Sequence, residues 1–286
     1  PLLTGIDNGT LASLAVMLIW AVWIGDYIRH LMRIGATTAT LLFAALFIFL
    51  WRFTPSFGAP WNDYFLNTLA LSQEQLGLAT TVQPLAWVVG SFIYVHFLDR
   101  VPLLKLLFWT VLVAAAFDLT KLILAEPELA ATLGGIPAVT YLGAIILLPA
   151  HLLAFGTGAW GAVMAVAPIL YLDAILTFGM EMLFIIAFLP LLKLAALVTP
   201  KGVEATNFAV LASIMNFGLA FGAMAGGIIY TQVEGGGILL GMQVSGLQIA
   251  ILIGVLASLL CLAVLPWLRI SERKRTKAQP YDEVLF

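Results

Sequence analysis

Read for the alternation of apolar and polar positions, the chain is a series of long hydrophobic runs cut by short polar stretches. Runs at 37–53, 76–98, 102–124, 171–198, 208–230 and 238–268 approach or exceed the roughly 20 residues that a helix needs to cross hydrocarbon. Leu, Ala, Ile and Phe follow one another there without the two-residue alternation of a transmembrane barrel strand. The pattern therefore predicts an all-α polytopic membrane protein.

Three stretches interrupt that pattern. The run at 37–53 stops at Arg52 and Thr54-Pro55, and 56–75 reads as a polar, aromatic loop. Pro200 and Gly202 end the helix of 171–198, because proline has no N–H to donate and glycine tolerates turn dihedrals. Glu204 and Thr206 stand where the next helix starts, a carboxylate being favoured at the positive end of the helix dipole and a hydroxyl able to cap free N–H groups. At the front, 11–25 is apolar but short and is followed by Asp26, Arg29, His30 and Arg33. It reads either as the end of a crossing helix or as an interfacial helix anchored by Trp20 and Trp23.

Charge orients the spans. Asp99-Arg100 with Lys105, Lys193 with Lys201, and the basic residues of 269–277 share one set of loops. The loops at 54–75, 126–135 and 231–237 contain no Lys or Arg, so the basic set is expected in the cytoplasm. The segment 136–168 must then cross an even number of times, yet it is short for two crossings of roughly 17–25 residues each. A re-entrant or tightly tilted apolar hairpin is expected, with the glycines of FGTGAWG at its tip, where irregular backbone is tolerated if protein buries it. The organisation that results is a partial or interfacial helix and loop at 1–35, a helical membrane domain at 36–268 and a cytoplasmic polar tail at 269–286.

Composition narrows the chemistry. Hydrophobic residues make up 62% and charged residues 10% of the chain, against about half and a quarter in soluble domains, which confirms the membrane class. No basic patch interleaved with aromatics suits nucleic acid. One cysteine, Cys261, excludes a disulfide within the chain, and three scattered histidines have no metal-ligand spacing. His96 and His151 read as packed or interfacial groups. There is no nucleophile elbow, phosphate loop or Asp-rich motif, so nothing points to an enzyme or to a cofactor.

Ionisable groups within the spans are functional candidates, since each costs roughly 2.5–3.5 kcal/mol at the centre of a membrane helix. Asp173 and Glu181 lie about two turns apart on one helix, near enough to share a face. Asp118 and Lys121, at i and i+3, can neutralise one another as a structural ion pair. Asn207, Ser213 and Asn216 either glue helices together or line a pathway. Gly218, Gly222, Ala225, Gly226 and Gly227 form a face for close helix packing. The chain begins at Pro1 without a signal peptide and reads as the later part of a longer protein.

Two blocks of the sequence resemble a known family. The first joins Arg52-Phe-Thr-Pro-Ser56 to Tyr64-Phe65, Leu76-Gly77, Tyr94 and Phe97-Leu98. The second joins Phe188-Leu-Pro-Leu-Leu192 to Thr199-Pro-Lys-Gly-Val-Glu-Ala-Thr206, Phe208-Ala209, Ser213 and Asn216. Together they are similar to the folate–biopterin transporters of the major facilitator superfamily, with members in cyanobacteria, plastids and protozoa. The resemblance runs over 37–125 and 171–268 and implies a second six-helix domain, to which the apolar segment 136–168 is an addition. It implies transport of folates or pterins coupled to protons, in a bacterial or cyanobacterial inner membrane or a plastid envelope. It also implies that an N-terminal six-helix half, or a second copy, completes a site lying between two halves.

By position, Asp173, Glu204, Thr206, Ser213 and Asn216 match the family's pattern, and Glu181 less closely. A folate carrier needs a cation and flat partners, for which Arg52 with Trp51, Trp61 and Tyr64 are the candidates; the same cluster also reads as an interfacial aromatic belt. The coupling acid is expected at Asp173 or Glu181, and Pro200, Gly202, Glu204 and Thr206 as a gating loop. A facilitator-type carrier for another organic anion, or a helical membrane subunit that does not transport, remain alternatives.

Overall fold

The computed structural model describes residues 39–55, 57–157, 168–199, 204–239 and 241–268, with scattered helical positions between 15 and 29; 153–157 are described by their backbone alone. Pro200 and Gly202, residues 158–161 of the expected hairpin tip and the tail at 269–286 lie outside the described residues, while 155–157 of that tip close a helix.

The described chain is helical apart from one short β-hairpin. Five continuous stretches are long and apolar enough to cross a membrane: Gln73–Leu98, Leu103–Leu124, Pro168–Val198, Glu204–Val233 and Gly246–Trp267. Around them lie α1 (Ala39–Arg52) and α2 (Gly58–Asp63), the latter running on through a π-helical turn, Tyr64–Thr68. The first long stretch comprises α3 (Gln73–Thr80) and α4 (Val82–Ile93). The second comprises α5 (Leu103–Asp118) and α6 (Lys121–Leu124). Next come α7 (Pro127–Gly134), α8 (Pro137–Ile146) and α9 (Leu148–Thr157), with α7 and α8 bent by 84° against each other. The remaining spans are α10 (Pro168–Val198), α11 (Glu204–Val233) and α12 (Gly246–Ser258), the last continuing as a 3-10 helix to Trp267.

The stretch expected to be a polar loop at 56–75 is largely helical. α1 is described from Ala39 and stops at Arg52. The chain then breaks, because Pro55 disfavours helical dihedrals at Thr54, and resumes as α2. The aromatic residues that gave 56–75 the look of a surface loop pack inward instead. Phe65 is buried among Leu124, Ile169 and Leu170, and Trp61 and Tyr64 pack beside it. A break thus separates α1 from α2, and Arg52 sits beside it, half-buried on a cavity wall.

Two further boundaries move for local reasons. Ser72 starts α3 with a full capping box, its hydroxyl accepting from Gln75 N while the Gln75 side chain accepts from Ser72 N. Ser245 and Gln248 repeat the device at the start of α12. The apolar residues just before Ser245 were expected inside the last span; they form a hairpin, Gly237–Leu239 against Met242–Val244, with Gly236 and Gly241 at positive φ.

The two largest clusters of buried side chains lie toward opposite ends of the bundle, and a smaller one with Ala115, Ile251 and Val255 borders the cavities described below. At the end carrying Asp99 and Lys193, Phe47 and Ile48 of α1 meet Leu103 and Leu107 of α5, Leu191 and Leu194 of α10, and Leu211 of α11. Lys193 Nζ there donates to Asp99 Oδ1 at 2.9 Å. At the other end, Leu124, Ala130, Ile169 and Leu170 surround Phe65. Helix α10 runs through both clusters and packs against α1, α4, α5, α7 and α8.

The break at 53–57 is seated on α11. A Cβ on Gly222 would stand 2.6 Å from the Thr54 carbonyl oxygen, and one on Gly218 2.8 Å from that of Phe49. The predicted glycine packing face is therefore in use at these two positions, whereas a Cβ on Gly227 would meet nothing within 4 Å. We predict that Gly222→Ala, forced against backbone that cannot step aside, lowers stability by about 1–3 kcal/mol. Gly227→Ala should leave it unchanged or slightly raised. Thermal unfolding of both variants in detergent checks this, and equal melting temperatures would refute the seating.

Candidate functional site

Arg52 is the last residue of α1, so its positive charge lies at the negative end of its own helix dipole. The guanidinium carbon is 5.6 Å from the centre of the Trp51 ring and 5.4 Å from that of Phe184 on α10, both within cation–π range. Those two rings stack at 5.5 Å, and Trp87 of α4 stacks on Phe184 at 6.2 Å. Arg52 Nε is buried and has no hydrogen-bond partner. Phe53 N still donates to Phe49 O at 2.8 Å, but Pro55 has no N–H for Trp51 O, which accepts from Thr54 Oγ1 at 3.2 Å instead.

Glu181 lies one turn before Phe184 on α10. Its Oε2 accepts from Gln83 Nε2 at 3.0 Å and from Trp87 Nε1 at 2.8 Å, both on α4. Gln83 and Trp87 are one turn apart, so both donors reach the same oxygen. Asp118 and Lys121 stand on either side of the interruption between α5 and α6, with Nζ and Oδ1 at 2.8 Å.

These groups line two neighbouring cavities of about 250 and 400 Å³. Thr54, Asp118, Lys121, Met180 and Glu181 belong to both walls. Arg52, Trp51 and Phe184 face the smaller one, while Phe57, Trp61 and Thr177 face the larger. Two positive and two negative side chains thus meet within the membrane span beside stacked aromatic rings. Such a wall suits a flat molecule carrying negative charge: the rings offer stacking surface, and the cations offer partners that hydrocarbon cannot.

Other sequence candidates fall elsewhere. Tyr64 donates through its hydroxyl to Leu124 O at 2.9 Å and lines neither cavity. Asp173 is only 5% exposed, so it does not reach water at the helix end; its recorded partner is Thr177 Oγ1 at 3.4 Å. Eight residues turn a helix by about 800°, which leaves Asp173 roughly 80° away from Glu181, and only Glu181 reaches the cavities. Ser213 donates back to Ala209 O at 2.8 Å, and Asn216 is exposed on α11. Glu204 and Thr206 are exposed in the first turn of α11.

Sequence reading missed Gln83 and Trp87. The signal available was an amide and an indole N–H one turn apart inside an apolar run, a costly pair of donors unless an acceptor faces them. The Asp118–Lys121 pair was visible, but its place on the cavity wall was not.

Comparison with known proteins agrees with the motifs. The model of the BT1 family matches residues 172–282, which takes in nearly all of α10 and the whole of α11 and α12. A folate-biopterin transporter from Synechocystis sp. is 29% identical over 177 residues, covering 62% of this chain. The chain spans only 29% of that relative's length. No solved structure matches it significantly. Residues 172–282 thus match the BT1 family model, and the chain is similar to a folate-biopterin transporter over 177 residues.

Proposed function

We propose that this chain forms one half, the C-terminal one, of a secondary carrier for folates or pterins. The observation that carries the reading is the Arg52 guanidinium set beside the stacked Trp51 and Phe184 rings on the wall of a membrane cavity. A pterin ring is flat and can stack there, and a folate adds carboxylates that Arg52 can pair with. The named relative is a folate-biopterin transporter, which supports the substrate class.

Proton coupling belongs to the same reading. The cavity walls carry Arg52 and Lys121 against Asp118 and Glu181, so their charges cancel, and an anion entering alone would leave excess charge in a medium that penalises it. Of the two acids expected from the sequence to couple, Asp173 lines neither cavity; Glu181 lines both, as does a second acid, Asp118.

A partner half is also part of the proposal. Asn216 is exposed near the middle of α11, and hydrocarbon would leave its amide without partners. Ala209, Ala220 and Ala223 are exposed on the same side, at spacings that let another helix approach closely. An N-terminal half or a second copy covering this face would satisfy the amide and complete the site, as in carriers whose substrate lies between two repeats.

Two measurements test this. Folic acid should quench the tryptophan fluorescence of the purified chain, and Arg52→Ala should weaken its binding roughly tenfold, equivalent to about 1.4 kcal/mol. An unchanged affinity would remove Arg52 from the site. Proteoliposomes containing the full-length gene product should take up labelled folate faster with an imposed inward proton gradient than without one. Absence of uptake under both conditions would sink the carrier reading.

A further inference from the structure

The Asp118–Lys121 pair reads from sequence as structural, but its surroundings are not those of a buried brace. The two side chains keep 29% and 31% of their surface exposed, and both line both cavities, so the pair borders open space within a membrane span. It also sits where α5 gives way to α6, with Leu119 and Thr120 between them. Facing it across the cavities are Arg52 from α1 and Glu181 from α10. Helix α12 contributes Ile251, Gly254, Val255 and Ser258, and α2 contributes Gly58 and Trp61, none of them charged.

The two acids are held differently. Glu181 receives two N–H donors from α4, and these stay in place whatever happens to Lys121. Asp118 has Lys121 as its recorded partner, through a flexible side chain on the next turn. A carboxylate arriving in either cavity meets one cation flanked by aromatic rings, Arg52, and one cation already engaged, Lys121. If Lys121 turns to the newcomer, Asp118 loses its counter-charge in a low-dielectric site, where an unpaired carboxylate is strongly disfavoured.

Resting on the reading of the site as one for folate-type anions, we propose that Asp118–Lys121 is a displaceable ion pair: a substrate carboxylate takes over Lys121, and the freed Asp118 binds the proton that enters with it. The balance is simple. One ion pair, Lys121 with Asp118, is replaced by another, Lys121 with the substrate carboxylate. One proton passes from water to an Asp118 carboxylate oxygen, and the summed charge of the site stays at zero. Glu181 serves throughout as the fixed anion opposite Arg52. A pterin without a carboxylate has nothing to offer Lys121 and binds without this proton.

Pteroic acid, with one carboxylate, and 6-methylpterin, with none, are suitable probes, using tryptophan quenching of the purified full chain between about pH 6 and 8, above the usual carboxylate range. Pteroic acid should bind more tightly as pH falls, approaching tenfold per pH unit for one linked proton. On the same protein, 6-methylpterin should show no such slope. Asp118→Asn should flatten the pteroic acid slope, Asp118→Glu should retain it, and Lys121→Gln should weaken pteroic acid roughly tenfold. If a lone Lys121 prevents Asp118→Asn from folding, as judged by size-exclusion elution, the neutral double variant Asp118→Asn/Lys121→Gln should show the same flat profile. A slope that survives in the folded Asn variants, or that 6-methylpterin shares, overturns the inference alone. Failure of both probes to bind the wild-type chain overturns the folate-type reading and the inference with it.

Discussion

Backbone N–H and C=O groups inside hydrocarbon must find partners within the protein, and the arrangement of this bundle follows from how that demand is met at residues 53–57. An unbroken helix would satisfy the demand by itself, but α1 stops short of Pro55, which has no N–H to give Trp51 O and disfavours helical dihedrals at Thr54. The chain instead presses its irregular turn onto Gly218 and Gly222 of α11, which bring the two backbones into contact, with Phe57 lying against Gly254 of α12. Protein, rather than lipid, surrounds the break. The same break sets a cation at the end of α1 on a cavity wall, where a continuous helix would have carried the chain onward with no end and no dipole to meet it.

The charges around that break make one assembly drawn from distant parts of the chain. Arg52 comes from α1, the donors to Glu181 from α4, the ion pair from the junction of α5 and α6, and the acid and Phe184 from α10. Of these, only the α10 residues fall within the region that matches the BT1 family. The family match and the local geometry are therefore largely independent lines of support. One identifies the scaffold of α10 to α12; the other finds a charged, aromatic cavity where that scaffold meets the preceding helices.

How much could be read in advance depended on whether a feature was local. The membrane class and the long spans were legible, because apolar length alone decides them. The Asp118–Lys121 contact was legible because i and i+3 adjoin on any helix. The partners of Glu181 were not, since Gln83 and Trp87 lie 98 and 94 residues away and only packing brings them in. The stretch 56–75 misled because proline, glycine and aromatic residues serve equally for a surface loop and for a broken helix held inside protein. Asp173 misled for a related reason: two turns put it near the face of Glu181, but roughly 80° of drift takes it off the cavities, and the neighbouring helices close over it.

The separation of the two cores has a mechanical side. Dense clusters of interlocked side chains stiffen each end of the bundle, while the level between them holds cavities and polar contacts. The cavities thin the packing at this waist relative to either end. The break between α1 and α2 removes one through-going strut at that level, so these two segments can tilt relative to each other without unwinding a helix. Pro190 lightens another, since it cannot donate to the carbonyl of Ile186 and leaves α10 more pliant just beyond the cavities. Flexure about the waist would leave each end packed as it is, and the load would fall on the charged contacts around Arg52.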